Sequence, residues 1–326
     1  MAKTSKLLDQ VRHVIRTKHY SYATEKTYVD WIYRFFLFHD KQHPEKINKK
    51  GISDFLTFLA DERKVAASTQ NQALNAIVFL YKEVLKIQLD DISFKHSGNG
   101  KRVPVVLSRN EVKNVLSQLD GEAWLMASLL YGSGLRLTEC LRLRIKDVDC
   151  ELNEIIVHDR KGNNDRRTLL PSGLKDNLTL QINKAKLQLE ENKRIVGFYG
   201  TSMPVALERK YPGAPKQTGW QYIFPSKKPG IDPLSRKLKQ HYRNESFLQK
   251  SVKKAVGKAG ITKNAGCHTF RHSFASHLFE DGYDIHVVQK LLGHKDVRTT
   301  MIYTHVLHRN KYNIRSPFDT LPVFHT

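Results

Sequence analysis

Six ionisable side chains stand out by type in the C-terminal two thirds of the sequence: Arg136, Lys161, His268, Arg271, His294 and Tyr303. The set holds two permanent cations and one phenol, but no pair of carboxylates. It therefore does not fit a hydrolase that uses two carboxylates or two metal ions. It fits attack by a phenol on a phosphodiester, because two arginines can hold the negative charge of the transition state without a metal.

Each assignment has a simpler alternative. A phenol with an ordinary pKa of about 10 needs a base or a strong positive field before Tyr303 can act as a nucleophile. Arg136 follows Gly132-Ser133-Gly134 at the start of a predicted helix, where it could bind an anion or pair with Glu139 on the surface. Lys161 is predicted at the tip of a hairpin, where a lysine is either solvated or able to reach into a site.

A metal site is the competing interpretation of the HTFRH motif. His268 and His272 are four residues apart, the spacing of helical zinc ligands. However, Arg271 stands between them, no glutamate occupies the position found in metalloproteases, and no third carboxylate ligand is evident. We therefore expect no metal and no other cofactor.

The elements around these residues are mainly helical. A helix from near Thr269 is predicted to pack through Phe270 and Phe274, with Arg271 on roughly the opposite side. Gly293 ends the following helix, and Asp296 can cap a further one on which Tyr303 sits about two turns in. Upstream, residues 154–160 and 166–170 predict two strands joined by a turn that contains Lys161. The Ser108–Glu111 pair predicts a capping box.

The N-terminal hundred residues predict a bundle of four to five helices without strands. Aromatic residues at helical spacing between Ser21 and Phe38 are predicted to form its core. Thr24, Ser53 and Ser68 are predicted to cap three of the helices. We expect a helical domain at 1–95, a basic linker at 96–104 around Gly98 and Pro104, and a second, mixed α+β domain at 105–326 with a small antiparallel β-sheet.

Charge indicates the partner. Lys and Arg number 54 against 32 Asp and Glu, for a formal net charge of +22. The basic residues are spread through the sequence, which favours a nucleic acid over a merely solvated basic surface. No apolar run is long enough for a membrane span, and no secretory signal is expected. The three cysteines lack metal or disulfide spacing.

The motifs SGLRLTE, HTFRH and LLGHKDVRTTMIYTHV, together with the Lys161 hairpin, resemble the tyrosine recombinase (phage-type integrase) family. The resemblance extends over the second domain, and the N-terminal bundle is similar to the family's SAM-like core-binding domain. It implies that Arg136 and Arg271 clamp a DNA phosphate and that Tyr303 forms a 3′-phosphotyrosyl bond. It also implies Lys161 as general acid, His268 as general base or proton shuttle, and His294 as a further hydrogen-bond donor to the phosphate.

An extra segment at about 190–222 contains VALERKYP, which resembles the additional segment of integron integrases. This likeness implies gene-cassette sites, some of them folded single strands with extruded bases. Aromatic side chains among basic residues would suit stacking on such bases, whereas the alternative is local packing of an irregular insertion. The candidate base or DNA contacts are Tyr199, Tyr211, Trp220, Tyr222, His241 and Tyr242.

The resemblance further implies a homotetramer around two duplex or folded DNA sites in the bacterial cytoplasm, associated with the nucleoid. A C-terminal tail at about 308–326 would dock on a neighbouring subunit, although it could also pack on its own subunit or be disordered. Three rival functions remain open. They are a generic double-strand integrase or resolvase, a type IB topoisomerase, and a non-catalytic DNA-binding protein.

Overall fold

The computed structural model describes residues 2–88, 104–158 and 165–302. The chain divides into two compact units, residues 1–102 and 103–326, and each has its own hydrophobic core. No helix within the described ranges is long and apolar enough to cross a membrane. Apart from Pro104, the predicted linker at 96–104 lies outside the described residues, as does the predicted tail at about 308–326.

The described part of the N-terminal unit is helical, as predicted. Its helices are α1 (Ala2–Thr17), α2 (Tyr22–Phe38), α3 (Lys49–Asp61) and α4 (Ala67–Phe79), with a 3₁₀ turn at Pro44–Lys46 and a π-helical turn at Leu80–Leu85. Trp31, Phe35 and Phe36 of α2 are buried in the core, which confirms the aromatic pattern.

The predicted caps of this unit were wrong. Ser21, and not Thr24, caps α2 by accepting a hydrogen bond from the Thr24 amide. Asn48 caps α3 through the Gly51 amide, so α3 begins earlier than the predicted cap Ser53. Ala66 stands at the start of α4 in place of Ser68. The first turn of α3 is Lys-Lys-Gly, and because it has no apolar residue, hydrophobic periodicity could not detect it.

The C-terminal unit combines helices with two small sheets. Its helices are α5 (Arg109–Leu116), α6 (Gly121–Gly132), α7 (Leu137–Leu141), α8 (Lys175–Lys193), α9 (Val205–Lys210), α10 (Glu245–Lys258), α11 (Cys267–Glu280), α12 (Ile285–Leu292) and α13 (Arg298–Met301). Short 3₁₀ turns lie at Ile145–Asp147, Ser172–Leu174, Ala214–Lys216 and Thr218–Trp220. The predicted Ser108–Glu111 capping box is present at α5.

The first sheet is an antiparallel meander of β1 (Val148–Asp149), β2 (Glu154–Val157) and β3 (Arg166–Leu169). It confirms the two predicted strands and their antiparallel pairing, while the predicted turn between them lies outside the described residues. The second sheet was not predicted. It contains β4 (Phe198–Thr201), β5 (Gly230–Ile231) and β6 (Leu238–Gln240), with β6 in the centre, parallel to β4 and antiparallel to β5. At residues 221–224 the backbone forms only an isolated bridge, which joins Tyr222 to Arg144.

Two buried helices, α6 and α11, support the part of the C-terminal unit that holds the candidate residues. Helix α6 is apolar on nearly all sides and packs against α10 and α11. Helix α11 also packs on α12 through Phe274 and Phe279, which contact Val288 and Leu292. The ends of α7, α11 and α12 thereby converge on the edge of β3. The predicted fold class, mainly helical with a small antiparallel sheet, is confirmed.

Candidate active site

Arg136 lies at the N-terminus of α7, where the chain makes a tight turn. Gly134 has a φ of +61°, and a Cβ there would come within 2.5 Å of the Phe274 ring. Only glycine therefore allows this approach to α11. Arg136 follows in an extended conformation as the residue before the helix, with its side chain 39% exposed. Its guanidinium is accessible to an anion.

Glu139, in the first turn of α7, orients Arg136. It accepts hydrogen bonds from the Arg136 amide and from Arg136 Nη1, each at 2.7 Å. Arg166 binds the same carboxylate from another side through Nη1 and Nη2, at 2.9 and 2.7 Å. Burial acts to raise the Glu139 pKa, but the Arg166 hydrogen bonds and charge outweigh it and lower this pKa to about 2. The carboxylate is therefore ionised at neutral pH and pairs with both arginines as an anion.

Arg271 is buried on α11, with 4% of its surface exposed. It donates hydrogen bonds to the carbonyls of Gly134 and Leu292, the latter at 2.5 Å. Its Nη1 lies 3.7 Å from Glu139 Oε2. The sequence placed Arg271 on the polar side of its helix, and this was wrong. Helix ends supply the carbonyl acceptors that a buried guanidinium needs.

His294 follows the end of α12, after Gly293 in the left-handed conformation with a φ of +64°. Its Nε2 lies 3.2 Å from Arg271 Nη2, and its Nδ1 lies 2.9 Å from Thr300 Oγ1. A guanidinium can only donate, so Nε2 accepts this hydrogen bond and Nδ1 carries the proton of the neutral ring. Burial, followed by the charges of Arg271 and Arg136, lowers the His294 pKa to about 4.

The two histidines of the HTFRH motif differ in their surroundings. His268 is exposed at the first turn of α11, whereas His272 is half-buried. Burial and the neighbouring His268 and Arg271 lower the His272 pKa to about 4. Across the described ranges, no group of three or more His, Cys, Asp or Glu side chains could hold a metal ion.

Lys161 and Tyr303 lie outside the described residues. The structure does describe the base of the Lys161 hairpin. There His158 Nδ1 lies 2.6 Å from Asp165 Oδ2, and His158 Nε2 lies 3.2 Å from Asp147 Oδ1. Of the six predicted residues, the structure thus brings together Arg136, Arg271 and His294.

Arg166 was missed by the sequence analysis, although the pattern contained a signal. Residues 166 and 168 share one face of β3, and Thr168 faces the interior with 2% exposure. Strand alternation therefore turns Arg166 inward and Arg167 outward, towards Glu154. The two adjacent arginines have quite different surroundings.

The insertion is anchored by Arg144, which is buried and was also missed. Arg144 Nη2 donates to Tyr222 Oη and to the Ser202 carbonyl, each at 3.0 Å, and Nη1 donates to the Trp220 carbonyl. Tyr222 is only 2% exposed and donates to the Ser202 carbonyl. The ring of Tyr222 packs the insertion against the unit, so its prediction as a base contact is corrected.

The other predicted base contacts are more open. Tyr211 is 46% exposed, and its ring centroid lies 6.4 Å from that of the half-buried Trp220. Lys146 Nζ lies 3.3 Å from the Trp220 ring centroid, and burial lowers the pKa of this lysine. These three residues form a mixed aromatic and basic surface, which we call the Trp220 surface.

The remaining candidates of the insertion are each paired with a charged neighbour. The ring of Tyr199 lies 3.7 Å from Lys237 Nζ. Tyr242 accepts a hydrogen bond from Arg142 at 3.0 Å. His241 is half-buried, 3.8 Å from Asp232, and burial lowers its pKa.

Two family models match the chain. Residues 106–310 match the model of the phage integrase family, and residues 7–91 match the phage integrase N-terminal SAM-like domain. The chain is 44% identical over 321 residues to an integrase/recombinase of Escherichia coli, covering 98% of this chain and 95% of that protein. It is 30% identical over 279 residues to the tyrosine recombinase XerA of Thermococcus kodakarensis, covering 84% of each.

Solved structures show the same fold. The site-specific recombinase XerH, bound to its palindromic difH substrate, matches with a TM-score of 0.62 at 19% identity, covering 94% of this chain and 83% of that one. A lambda integrase dimer bound to a core site matches with a TM-score of 0.60 at 16% identity, covering 92% and 94%. From the family models and the curated relatives, the chain belongs to the phage integrase family and is a site-specific recombinase of the tyrosine class.

Proposed function

We propose that this recombinase cuts and rejoins DNA through a 3′-phosphotyrosyl intermediate, with Tyr303 as nucleophile and Arg136 and Arg271 on the scissile phosphate. The phenolate oxygen attacks phosphorus, a P–O bond forms, and the bond to the 5′ oxygen breaks. Lys161 gives the leaving oxygen its proton. The 5′-hydroxyl of another strand then reverses the step and restores the phenol. One phosphodiester replaces another, so the exchange needs no ATP.

The observation that carries this proposal is that acceptors within the protein hold both arginines in place. Arg271 is fixed by two helix-end carbonyls, and Arg136 is held by both oxygens of Glu139. Donors fixed in advance around a developing charge lower a barrier without reorganisation. His294 adds an imidazole beside Arg271, and His268 at the exposed start of α11 would take or relay a proton.

For the DNA target, we propose integron gene-cassette sites, including folded single strands. The support is the Trp220 surface, because an extruded base offers a π-face that stacks on an aromatic ring, and Lys146 beside it suits a phosphate. Tyr199, His241 and Tyr242 are further candidate contacts to the DNA. The N-terminal helical domain at 1–95 would add contacts to the DNA, with a domain at 105–326 carrying the chemistry. Four subunits would assemble on two sites through exchange of their C-terminal tails.

The chemistry is tested by trapping the protein on a nicked suicide DNA substrate. The wild type should form a covalent protein–DNA adduct, and Tyr303→Phe should form none while still binding the DNA. An adduct that persists in Tyr303→Phe would refute the assignment of the nucleophile. Absence of an adduct in the wild type, with DNA binding intact, would favour a non-catalytic role.

The target is tested by measuring affinity for the two folded strands of a cassette site and for its duplex. We expect tighter binding to one folded strand. Trp220→Ala should weaken that binding by about 10-fold, as expected for the loss of one stacked base, and should leave duplex binding nearly unchanged. Tyr283→Ala is the matched control, because Tyr283 is an exposed aromatic residue outside the insertion. Equal or tighter binding to the duplex would indicate a generic double-strand integrase.

A further inference from the structure

Arg166 connects three parts of the site that are far apart in the sequence. It is the first residue of β3. Its guanidinium donates one hydrogen bond to each carboxylate oxygen of Glu139, at the start of α7, and so forms a bidentate fork. Its Nε also donates to the Leu291 carbonyl near the end of α12, at 2.9 Å. Only 12% of the side chain is exposed. Arg166 is therefore part of the protein interior and is not presented to DNA in the way that Arg136 is.

The fork between Arg166 and Glu139 determines the orientation of the Arg136 side chain, because Glu139 also binds Arg136. Glu139 is 14% exposed and shares its two oxygens between Arg136 and Arg166. A bidentate arginine fixes both the position and the plane of a carboxylate. Without Arg166, Glu139 could rotate and draw Arg136 or Arg271 towards itself, because one negative charge would then face two cations where it now faces three.

The hydrogen bond from Arg166 to the Leu291 carbonyl also connects Arg166 to the end of α12, which leads to His294. The Leu292 carbonyl is bound by Arg271, so successive carbonyls of α12 are held by two arginines. Gly293 packs directly on the Arg166 side chain, since a Cβ there would lie 2.6 Å from Arg166 Cδ. His294 is the next residue. The backbone that leads into His294 therefore packs on the side chain of Arg166.

We infer that Arg166 is a positioning residue for DNA cleavage, acting through Glu139 on Arg136 and through the end of α12 on His294. This inference rests on the proposed cleavage chemistry. It predicts a loss in the rate of cleavage that exceeds any loss in DNA affinity, because the exposed cation remains but points in the wrong direction. A purely structural role would lower the amount of folded protein and leave the folded fraction fully active.

The central experiment compares Arg166→Met with Arg243→Met. Arg243 is a matched control, because it pairs with Glu122 in the same unit and is similarly buried, with 14% of its side chain exposed. Single-turnover adduct formation on nicked duplex should fall about 100-fold in Arg166→Met, the usual effect of a misplaced catalytic group. Arg243→Met should cleave at the wild-type rate per folded molecule. Arg166→Lys should recover little of the rate, because an ammonium cannot form the fork.

Two further measurements separate positioning from stability. A scissile methylphosphonate lacks one negative charge and needs the arginine clamp less, so the penalty of Arg166→Met should shrink about 10-fold or more on it. In an Arg136→Met background, adding Arg166→Met should cost much less than it does alone. A penalty equal on both substrates, or fully additive with Arg136→Met, would overturn the inference. Absence of any adduct in the wild type would instead overturn the proposed cleavage chemistry.

Discussion

Arg271 donates a hydrogen bond to Nε2 of His294 across 3.2 Å, and Nδ1 of the imidazole donates its own hydrogen bond to Thr300 Oγ1. In this arrangement neither ring nitrogen has an N–H directed to a phosphate. The predicted role of His294 as a phosphate donor therefore requires that the ring gain a proton or exchange its partners when DNA binds.

We accordingly predict that the His294 pKa rises on DNA binding. In the free protein it should lie near 4, because burial and the Arg271 charge oppose protonation. A bound phosphate would offset these cations and favour the imidazolium. Histidine NMR titrations of free and DNA-bound Tyr303→Phe protein would measure both values, with His294→Gln to assign the signal. A free-protein value near the ordinary 6.5 would contradict the prediction.

Glu139 should make the stability of the protein depend on pH in the acid range. Its pKa falls from an ordinary 4.5 to about 2 on folding, so its contribution is present above pH 4.5 and is lost as the pH drops towards 2. The difference corresponds to about 3 kcal/mol. The advantage of the wild type over Glu139→Gln in urea unfolding should be constant near neutral pH and shrink below about pH 5. A difference that does not change with pH would count against this.

His158 should have the opposite dependence. The hydrogen bond that His158 donates to Asp147, followed by that to Asp165, raises its pKa above 6.5 despite partial burial. Its stabilising effect is complete below pH 6.5 and disappears as the pH rises through the folded pKa. The melting temperature of the wild type should exceed that of His158→Gln at about pH 6 and match it at about pH 9. Equal differences at both pH values would exclude the charged pair.

Gly293 should tolerate alanine less well than Gly282 does. Both have a positive φ, but a Cβ at Gly282 meets no atom within 4 Å, whereas one at Gly293 meets the held side chain of Arg166. Gly282→Ala should cost about 1–2 kcal/mol of unfolding free energy. Gly293→Ala should cost about 1–3 kcal/mol more, because of overpacking. Urea unfolding measures both, and the excess should disappear in an Arg166→Ala background; if it remains, the contact is not the cause.

Residue type and spacing were enough to select Arg136, Arg271 and His294 from the sequence. Residue type and spacing could not show that Arg271 is buried. Its acceptors are backbone carbonyls at helix ends, and the types of the side chains do not reveal where such carbonyls lie. The Arg166–Arg167 pair shows a similar limit. The two residues have the same chemistry, and only the register of β3 against β2 decides which one reaches Glu139.

The insertion shows how burial depends on distant partners. Trp220 and Tyr222 are close in the sequence and both suit stacking, yet Tyr222 is enclosed by Arg144 from another segment. The second sheet was equally difficult to predict from the sequence, because β5 and β6 have only two and three residues. Strands of this length carry too little alternation to be recognised.

The sharing of Glu139 by Arg136 and Arg166, with Arg166 held in turn by Leu291, also has a consequence for biosynthesis. These contacts join residues separated by as many as 125 positions. Domains fold as their segments emerge from the ribosome, and contacts between distant segments form late. The cluster of Glu139 with its arginines is thus completed only after α12 has been synthesised. Under the proposed chemistry, a nascent chain interrupted before that point would be released without cleavage activity.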